Sequence, residues 1–288
     1  MLNLKYIDEL WVIIMNDEII EEYELSNIVL LCKSNYGIIY KCLSNIYGDV
    51  VIKINMDREN FENSCKYYNS FKGLPLCDLY AYNHMNQVQV LKYINGKTLF
   101  DIDDFEKRVK LCYNYLKNWE HNLKIVDDNE LSFETKTYDM LAHLKSSELS
   151  EKARNLLVDF DEAARNFFNK YNNCYLLHGD LHHDNMLYDG QQIIAIDLSP
   201  LKASFSIEIA KFIENELFQN VDEIDEKLNY ILNIFNFDII TKEELLEGLF
   251  VDSCFRTFDS YLEGREDADL EHGINMNQRI LKYIQKRR

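Results

Sequence analysis

Between residues 27 and 55 the chain runs in short apolar bursts, NIVLLCK, GIIYKCL and DVVIKIN, separated by SNY and SNIYG. Bursts of this length, rich in Val, Ile and Tyr and bounded by Ser, Asn and Gly, predict three strands joined by tight turns. A helix is predicted over about 57–71, followed by two further strand-like runs, CDLYAYN and QVQVLKYI. After NGKTL the period changes. Phe105, Val109, Cys112, Leu116 and Trp119 recur at the three- and four-residue spacing of a helix face. So do Ala153, Leu156, Leu157, Phe160, Ala164, Phe167, Phe168 and Tyr171, then Ile209, Phe212, Ile213 and Leu217, then Leu228, Ile231, Leu232 and Phe235. These stripes are read as helix core. The pattern predicts an α+β chain: a small antiparallel-sheet lobe over 1–93, a connector at 94–97 marked by Gly96, and a larger helical lobe over 98–288.

Composition narrows the function classes. The formal charge of −18 repels nucleic acid and anionic membranes at long range and favours a cationic small molecule. No apolar run reaches the 18 residues of a membrane span. The N-terminal MLNLKYIDELWVIIMNDE has acidic residues within and after its apolar part and no basic start, so it is not read as a signal peptide. Seven cysteines stand singly with no C-x-x-C, which suits reduced thiols in a cytoplasm.

The candidate chemistry is concentrated in LLHGDLHHDNMLYDGQQIIAIDLSP, residues 176–200, where three His, four Asp and one Asn fall between apolar runs. NMLYDGQQIIAID reads as two short strands around a DG turn. Such a hairpin folds Asp197, at the end of its second strand, back beside Asn185 at the start of its first, with Asp180 on the loop just ahead. Oxygen ligands of this kind suit Mg²⁺, which takes one or two protein ligands plus substrate phosphates. Asn185 and Asp197 fit that role, leaving Asp180 to orient a hydroxyl and accept its proton, the division of labour of phosphoryl transfer. Two blander readings stand beside it. One is a polar turn between buried strands. The other makes His178, His182 and His183 transition-metal ligands, for which no further ligand is in evidence.

HGDLHHDN followed by IDLSPL resembles the catalytic loop and metal-binding Asp of the aminoglycoside phosphotransferase family of small-molecule kinases, nearest its streptomycin and hydroxyurea kinase branch. The resemblance spans about 26–217 and is strongest at 176–201. It implies a protein-kinase-like bilobal fold, ATP or GTP as phosphate donor with Mg²⁺, a catalytic base at Asp180, metal ligands at Asn185 and Asp197, and a structural role for His178. KSNYGIIYKC would cover the phosphates, with Ser34 and Asn35 turning the chain and Gly37 allowing close backbone approach. Lys53 stands where the family places the lysine that pairs with the α- and β-phosphates. Its carboxylate partner would be Glu59 or Glu62, which share a helix face; Glu62 is chosen. Backbone groups from Lys92 through Tyr93 to Ile94 would hold the purine. Lys92 stands where the family often has an acidic residue, which leaves ATP and GTP both open.

The acceptor is the least specified element. Asp252, Arg256, Asp259 and Glu263 fall at i, i+4, i+7 and i+11. They are either a solvent face or an acidic wall (Asp252, Asp259 and Glu263) for a cationic acceptor. The reading reached is a cytoplasmic, monomeric kinase of a small-molecule hydroxyl, an aminoglycoside such as streptomycin foremost. A choline-like or sugar acceptor and a non-catalytic nucleotide-binding module are the alternatives. A protein kinase is disfavoured because Asp197 is followed by Leu198 and Ser199 and no A-P-E follows.

Overall fold

The computed structural model describes residues 17–264 and 267–287; the N-terminal run judged above not to be a signal peptide lies mostly outside them. The described chain divides into two compact units. The first holds the residues up to Asn69 and Leu76–Asn95, the second Ser70–Pro75 and the chain from Gly96 onward. The later junction lies between Asn95 and Gly96. The piece at 70–75, expected in the first lobe, goes with the second unit for a local reason. Phe71 packs edge-on against Trp119, Lys124 Nζ donates to the Ser70 carbonyl, and Ala195 N donates to the Pro75 carbonyl.

In the first unit a short helix, α1 (Asp17–Glu22), precedes β1 (Leu25–Lys33), β2 (Gly37–Ser44) and β3 (Gly48–Asn55). Helix α2 (Arg58–Tyr67) follows, then β4 (Leu79–Asn83) and β5 (Val88–Lys92). The strands form one antiparallel sheet in the order β1-β2-β3-β5-β4. Strand alternation sorts its faces. Val50, Ile52 and Ile54 turn to the same side as Ile38, Tyr40, Cys42, Val88 and Val90, and Ile19 of α1 joins that core with Tyr23 and Leu25. Each fully buried aliphatic side chain there contributes about 2 kcal/mol. Lys53 points the other way. It lies opposite Gln89 in register, and Gln89 donates to Ser64 of α2 at 3.0 Å. Asp57 caps α2 by accepting from Asn60 N at 3.1 Å. The last turn of the expected 57–71 helix tightens into a 3₁₀ turn at Tyr68–Phe71.

The second unit contains β6 (Lys97–Thr98), α3 (Phe105–Glu120), α4 (Phe133–Leu144), α5 (Glu151–Lys170) and β7 (Tyr175–Leu177). Next come the hairpin β8 (Met186–Tyr188) and β9 (Ile193–Ala195), then β10 (Leu201–Ala203). The helices α6 (Phe205–Phe218), α7 (Ile224–Ile234), α8 (Lys242–Leu262) and α9 (Asp267–Gln285) complete it. The predicted stripes are its core: Val109, Cys112, Leu116, Phe160, Ala164, Ile209, Phe212, Ile213 and Leu217 are wholly buried. Helix α6 is covered on almost every side, so its polar residues Glu208, Lys211, Glu214 and Glu216 are buried with its apolar ones. The seven cysteines are free thiols, and no helix among the described residues is long and apolar enough to cross a membrane.

Candidate active site

The motif folds as a strand, a loop and a hairpin. Strand β7 delivers His178 at its end. A 3₁₀ turn, His183–Asn185, leads into β8, and β9 returns antiparallel with Met186 opposite Ala195. The DG turn closes a four-residue link in which Asp189 Oδ1 accepts from Gln191 N and Gln192 N at 2.8 and 2.9 Å.

The chain is fastened at each functional residue. His178 is fully buried and donates from Nε2 to the Ile196 carbonyl at 2.9 Å, while its own carbonyl accepts from Ser199 N at 3.0 Å. Burial pushes the imidazole down to about 4, so it is neutral and serves as a bridge between the two arms of the motif. Gly179 sits at φ +84, and a Cβ there would stand 1.8 Å from the Ser199 carbonyl oxygen, so only glycine fits. Its N–H donates to Glu208 Oε2 on α6 at 2.9 Å.

Asp180 and Asn185 meet directly. Asn185 Nδ2 donates to the Asp180 carbonyl at 2.8 Å and to Asp180 Oδ2 at 3.1 Å. With Nδ2 committed, Oδ1 is the remaining polar atom of Asn185. The backbone brings Asp197 alongside, because Ile196 N donates to the Asn185 carbonyl at 3.0 Å. Asp197 adopts φ +60, a left-handed conformation that Asp tolerates better than most residues and that recurs where function requires it.

Charge under the loop is dense. Burial pushes Glu208 up to about 7 against the pull of the Gly179 N–H and Lys211. Burial likewise pushes Glu214 up to about 7, with Arg256 opposing. Lys211 pairs with the fully buried Asp252 at 3.1 Å, and Arg256 pairs with Glu214 at 2.6 Å. Burial would push the Asp180 carboxyl up as well. The nearby His182, with its Nε2 at 3.5 Å, and the charges of Arg256 and Lys211 outweigh burial and hold it far below the usual carboxylate range.

The other sequence-predicted residues fall as follows. Ser34, Asn35, Gly37, Lys53, Glu62, Lys92, Tyr93 and Ile94 belong to the first unit, and Asp180, Asn185 and Asp197 to the second. Ser34 shapes its turn, with its hydroxyl accepting from Tyr36 N at 3.2 Å. The close approach at Gly37 is to the neighbouring strand, since a Cβ there would lie 2.7 Å from the Ile54 carbonyl oxygen. Lys53 is buried and not surface-facing. Glu62 contacts His84 at 3.0 Å and Arg58 at 3.7 Å, and Glu59 is exposed. The amides of Lys92 and Tyr93 are already bonded to the carbonyls of Asp78 and Asp49. The acidic stripe divides: Asp252 is buried against Lys211, whereas Asp259 and Glu263 are exposed. His178 and His183 turn to separate partners, and no three His, Cys, Asp or Glu among the described residues form a metal cluster. Sequence reasoning missed Glu208, Lys211 and Glu214. Their signal was a charge every third residue through an otherwise apolar helix.

A small antiparallel sheet followed by a helical second unit that carries this loop is a protein-kinase-like fold. No family model and no curated protein matches the sequence. Among solved structures the chain is similar to aminoglycoside phosphotransferase APH(4)-Ia, with a TM-score of 0.70 and 11% identity over 95% of this chain and 98% of that one. It is similar to choline kinase LicA from Streptococcus pneumoniae, with a TM-score of 0.69 and 14% identity over 96% and 99% of the two chains. A choline/ethanolamine kinase family protein from Mesorhizobium loti gives a TM-score of 0.68 and 13% identity over 97% and 99%. A thermostable mutant of APH(4)-Ia has been crystallised with ADP and hygromycin B.

Proposed function

We propose that the protein is an ATP- or GTP-dependent phosphotransferase that phosphorylates a hydroxyl of a small molecule. The observation that carries this reading is the grip of Asn185 on Asp180, with Asp197 tied alongside by the Ile196–Asn185 bond. Asp180 orients the acceptor hydroxyl and receives its proton. Asn185, through its uncommitted Oδ1, and Asp197 suit a hard divalent cation. Two oxygen ligands alone leave such an ion incomplete, which fits a site finished by nucleotide phosphates. Mg²⁺ bound there would neutralise phosphate charge as it shifts to the leaving group. Lys53 would hold the α- and β-phosphates beneath the turn of Ser34, Asn35 and Gly37. In the segment Lys92–Tyr93–Ile94 the first two amides are spent, so a purine would be read by the amide of Ile94 and by carbonyls. Glu62, already engaged by His84 and Arg58, would reach Lys53 only after leaving them.

The acceptor is taken to be cationic because of the −18 charge and the exposed Asp259 and Glu263. An aminoglycoside such as streptomycin is the first reading. The pairing of Asp252 with Lys211 removes one carboxylate from the expected wall and favours a second reading, a choline-like amino alcohol carrying one charge. The test is a screen of Mg²⁺- and ATP- or GTP-dependent product formation across aminoglycosides, choline and simple sugars. Phosphorylation of one class supports the enzyme reading and selects the acceptor. Nucleotide binding without transfer to any acceptor or to water would leave a nucleotide-binding module instead.

A further inference from the structure

His183, Glu216 and Arg108 form a buried chain of ionisable groups that the chemistry above leaves unused. The side chains of His183 and Glu216 are fully buried, and that of Arg108 is 8% exposed. Arg108 on α3 meets both carboxylate oxygens of Glu216 on α6, Nε to Oε1 and Nη2 to Oε2, each at 2.7 Å. Its Nη1 donates to the carbonyls of Ile102 and Asp103 at 2.6 and 3.1 Å. Lys227 Nζ donates to the Glu216 backbone carbonyl at 2.7 Å. Glu216 is thus fixed from several directions before it touches the loop. His183 Nε2 lies 2.8 Å from Glu216 Oε1. Burial alone would raise the carboxyl of Glu216, but hydrogen bonds from Arg108 and His183 hold it ionised. A carboxylate only accepts, so His183 donates from Nε2. The imidazole lies flat on Phe212, with centroids 4.9 Å apart and planes 5° from parallel.

Such a chain is a poor source of stability. Each buried ion carries a desolvation penalty of several kcal/mol, and an apolar trio of the same volume is often as stable or more so. Its distinctive property is directional: a short hydrogen bond to an immobile carboxylate sets both the position and the plane of the ring. His183 opens the turn His183–Asn185, and Asn185 at the end of that turn holds Asp180. Resting on the phosphotransferase reading of this loop, we propose that the His183–Glu216–Arg108 chain is its positioning device. Arg108 fixes Glu216, Glu216 fixes the imidazole, and the imidazole fixes the turn that presents Asn185 to Asp180.

His183→Phe keeps a ring on Phe212 and removes the donor; His183→Gln restores a donor near the Nε2 position. Two measurements are made on wild type and both variants: amide hydrogen exchange of residues 178–188, and steady-state kinetics with Mg·ATP and the best acceptor. In His183→Phe that segment is expected to exchange about tenfold faster or more, with the rest of the second unit unchanged. Its kcat is expected to fall about tenfold or more with KM for ATP within about twofold, because a small misplacement of a catalytic group is paid in rate. His183→Gln is expected to recover most of both. The proposal is overturned if His183→Phe exchanges and turns over like the wild type, or if His183→Gln is as impaired as His183→Phe. Should His183→Phe not fold, Glu216→Gln, which keeps shape and removes charge, is read by the same exchange measurement, and an unchanged segment overturns the proposal. Hydrogen exchange needs no substrate, so a chain without transferase activity would refute the proposed function while this test still decides the role of His183.

Discussion

Replacing Gly179 by alanine adds one methyl group at the tightest point of the loop that carries Asp180. At φ +84 any other L-residue is strained by about 1 kcal/mol or somewhat more. The added Cβ would lie 1.8 Å from the Ser199 carbonyl oxygen and 2.9 Å from Leu201 Cβ. Ordinary contact begins at 3.4 Å, so the methyl and the carbonyl must part by about 1.6 Å. Neither side yields freely. Gly179 N is bonded to the buried Glu208, and Ser199 N is bonded to the His178 carbonyl. Any relief therefore moves Asp180, the next residue. Overpacking of this kind costs about 1–3 kcal/mol, and a catalytic group displaced by about 1 Å loses on the order of 10²-fold in rate. Gly179→Ala is expected to lower kcat by about 10²-fold and stability by about 2–4 kcal/mol. Trp119, buried in the second unit, reports urea unfolding by its fluorescence, and turnover is measured on the folded fraction. Turnover within about threefold of wild type would show that the loop is not held as described.

Asp180→Asn should keep fold and nucleotide binding and lose about 10²-fold or more of turnover, and near-full activity in that variant would remove Asp180 from its role. Glu208 rises from 4.5 to about 7 on folding, so the stability it contributes is complete below pH 4.5 and lost as pH rises through 7. Glu208→Gln, which keeps an acceptor for the Gly179 N–H, should flatten the fall in urea-unfolding stability between pH 5 and 8 by roughly 2 to 3 kcal/mol; parallel curves would refute the burial argument. Asp259→Asn with Glu263→Gln should raise KM for a cationic acceptor at low salt, leave KM for ATP alone and weaken the salt dependence; a matching wild type and double mutant would make the two carboxylates an ordinary solvated face.

Strands, helices and the loop geometry were legible because each is written locally. Short apolar bursts mark β1 to β5, three-four periods mark α3, α5 and α6, and the Asp180, Asn185 and Asp197 spacing is closed by one hairpin. What stayed hidden depends on which face is covered. Asp252, Asp259 and Glu263 share a helical stripe by spacing, yet α6 covers only its start, where Lys211 meets Asp252, and leaves its end in solvent. Glu208 and Glu216 look like solvent charges on an amphipathic α6 until the helix is seen to be buried all round. The spacing of Glu59 and Glu62 could not show that His84, at the end of β4 and more than twenty residues later, lies against Glu62. Residues 70–75 carry no periodic signal, and only their contacts with Trp119, Lys124 and Ala195 assign them to the second unit.

The charge beneath the loop bears on the role proposed for Asp180. A general base is most effective when its pKa lies near the working pH, and Asp180 is held far below that by His182, Arg256 and Lys211. Such a carboxylate takes a proton reluctantly. A carboxylate held low in this way suits orienting a hydroxyl through a charge-assisted hydrogen bond. Phosphoryl transfer tolerates a weak base, because its loose transition state asks mainly for alignment and charge compensation. The groups pushed up to about 7 here are Glu208, which accepts from Gly179 N, and Glu214, which pairs with Arg256. Ionised Glu208 strengthens its hold on the Gly179 N–H, so the pH that deprotonates it also tightens the residue next to Asp180. The surroundings of Asp180 are therefore set jointly by His182 on the loop, by Arg256 on α8, and by Lys211 and Glu208 on α6.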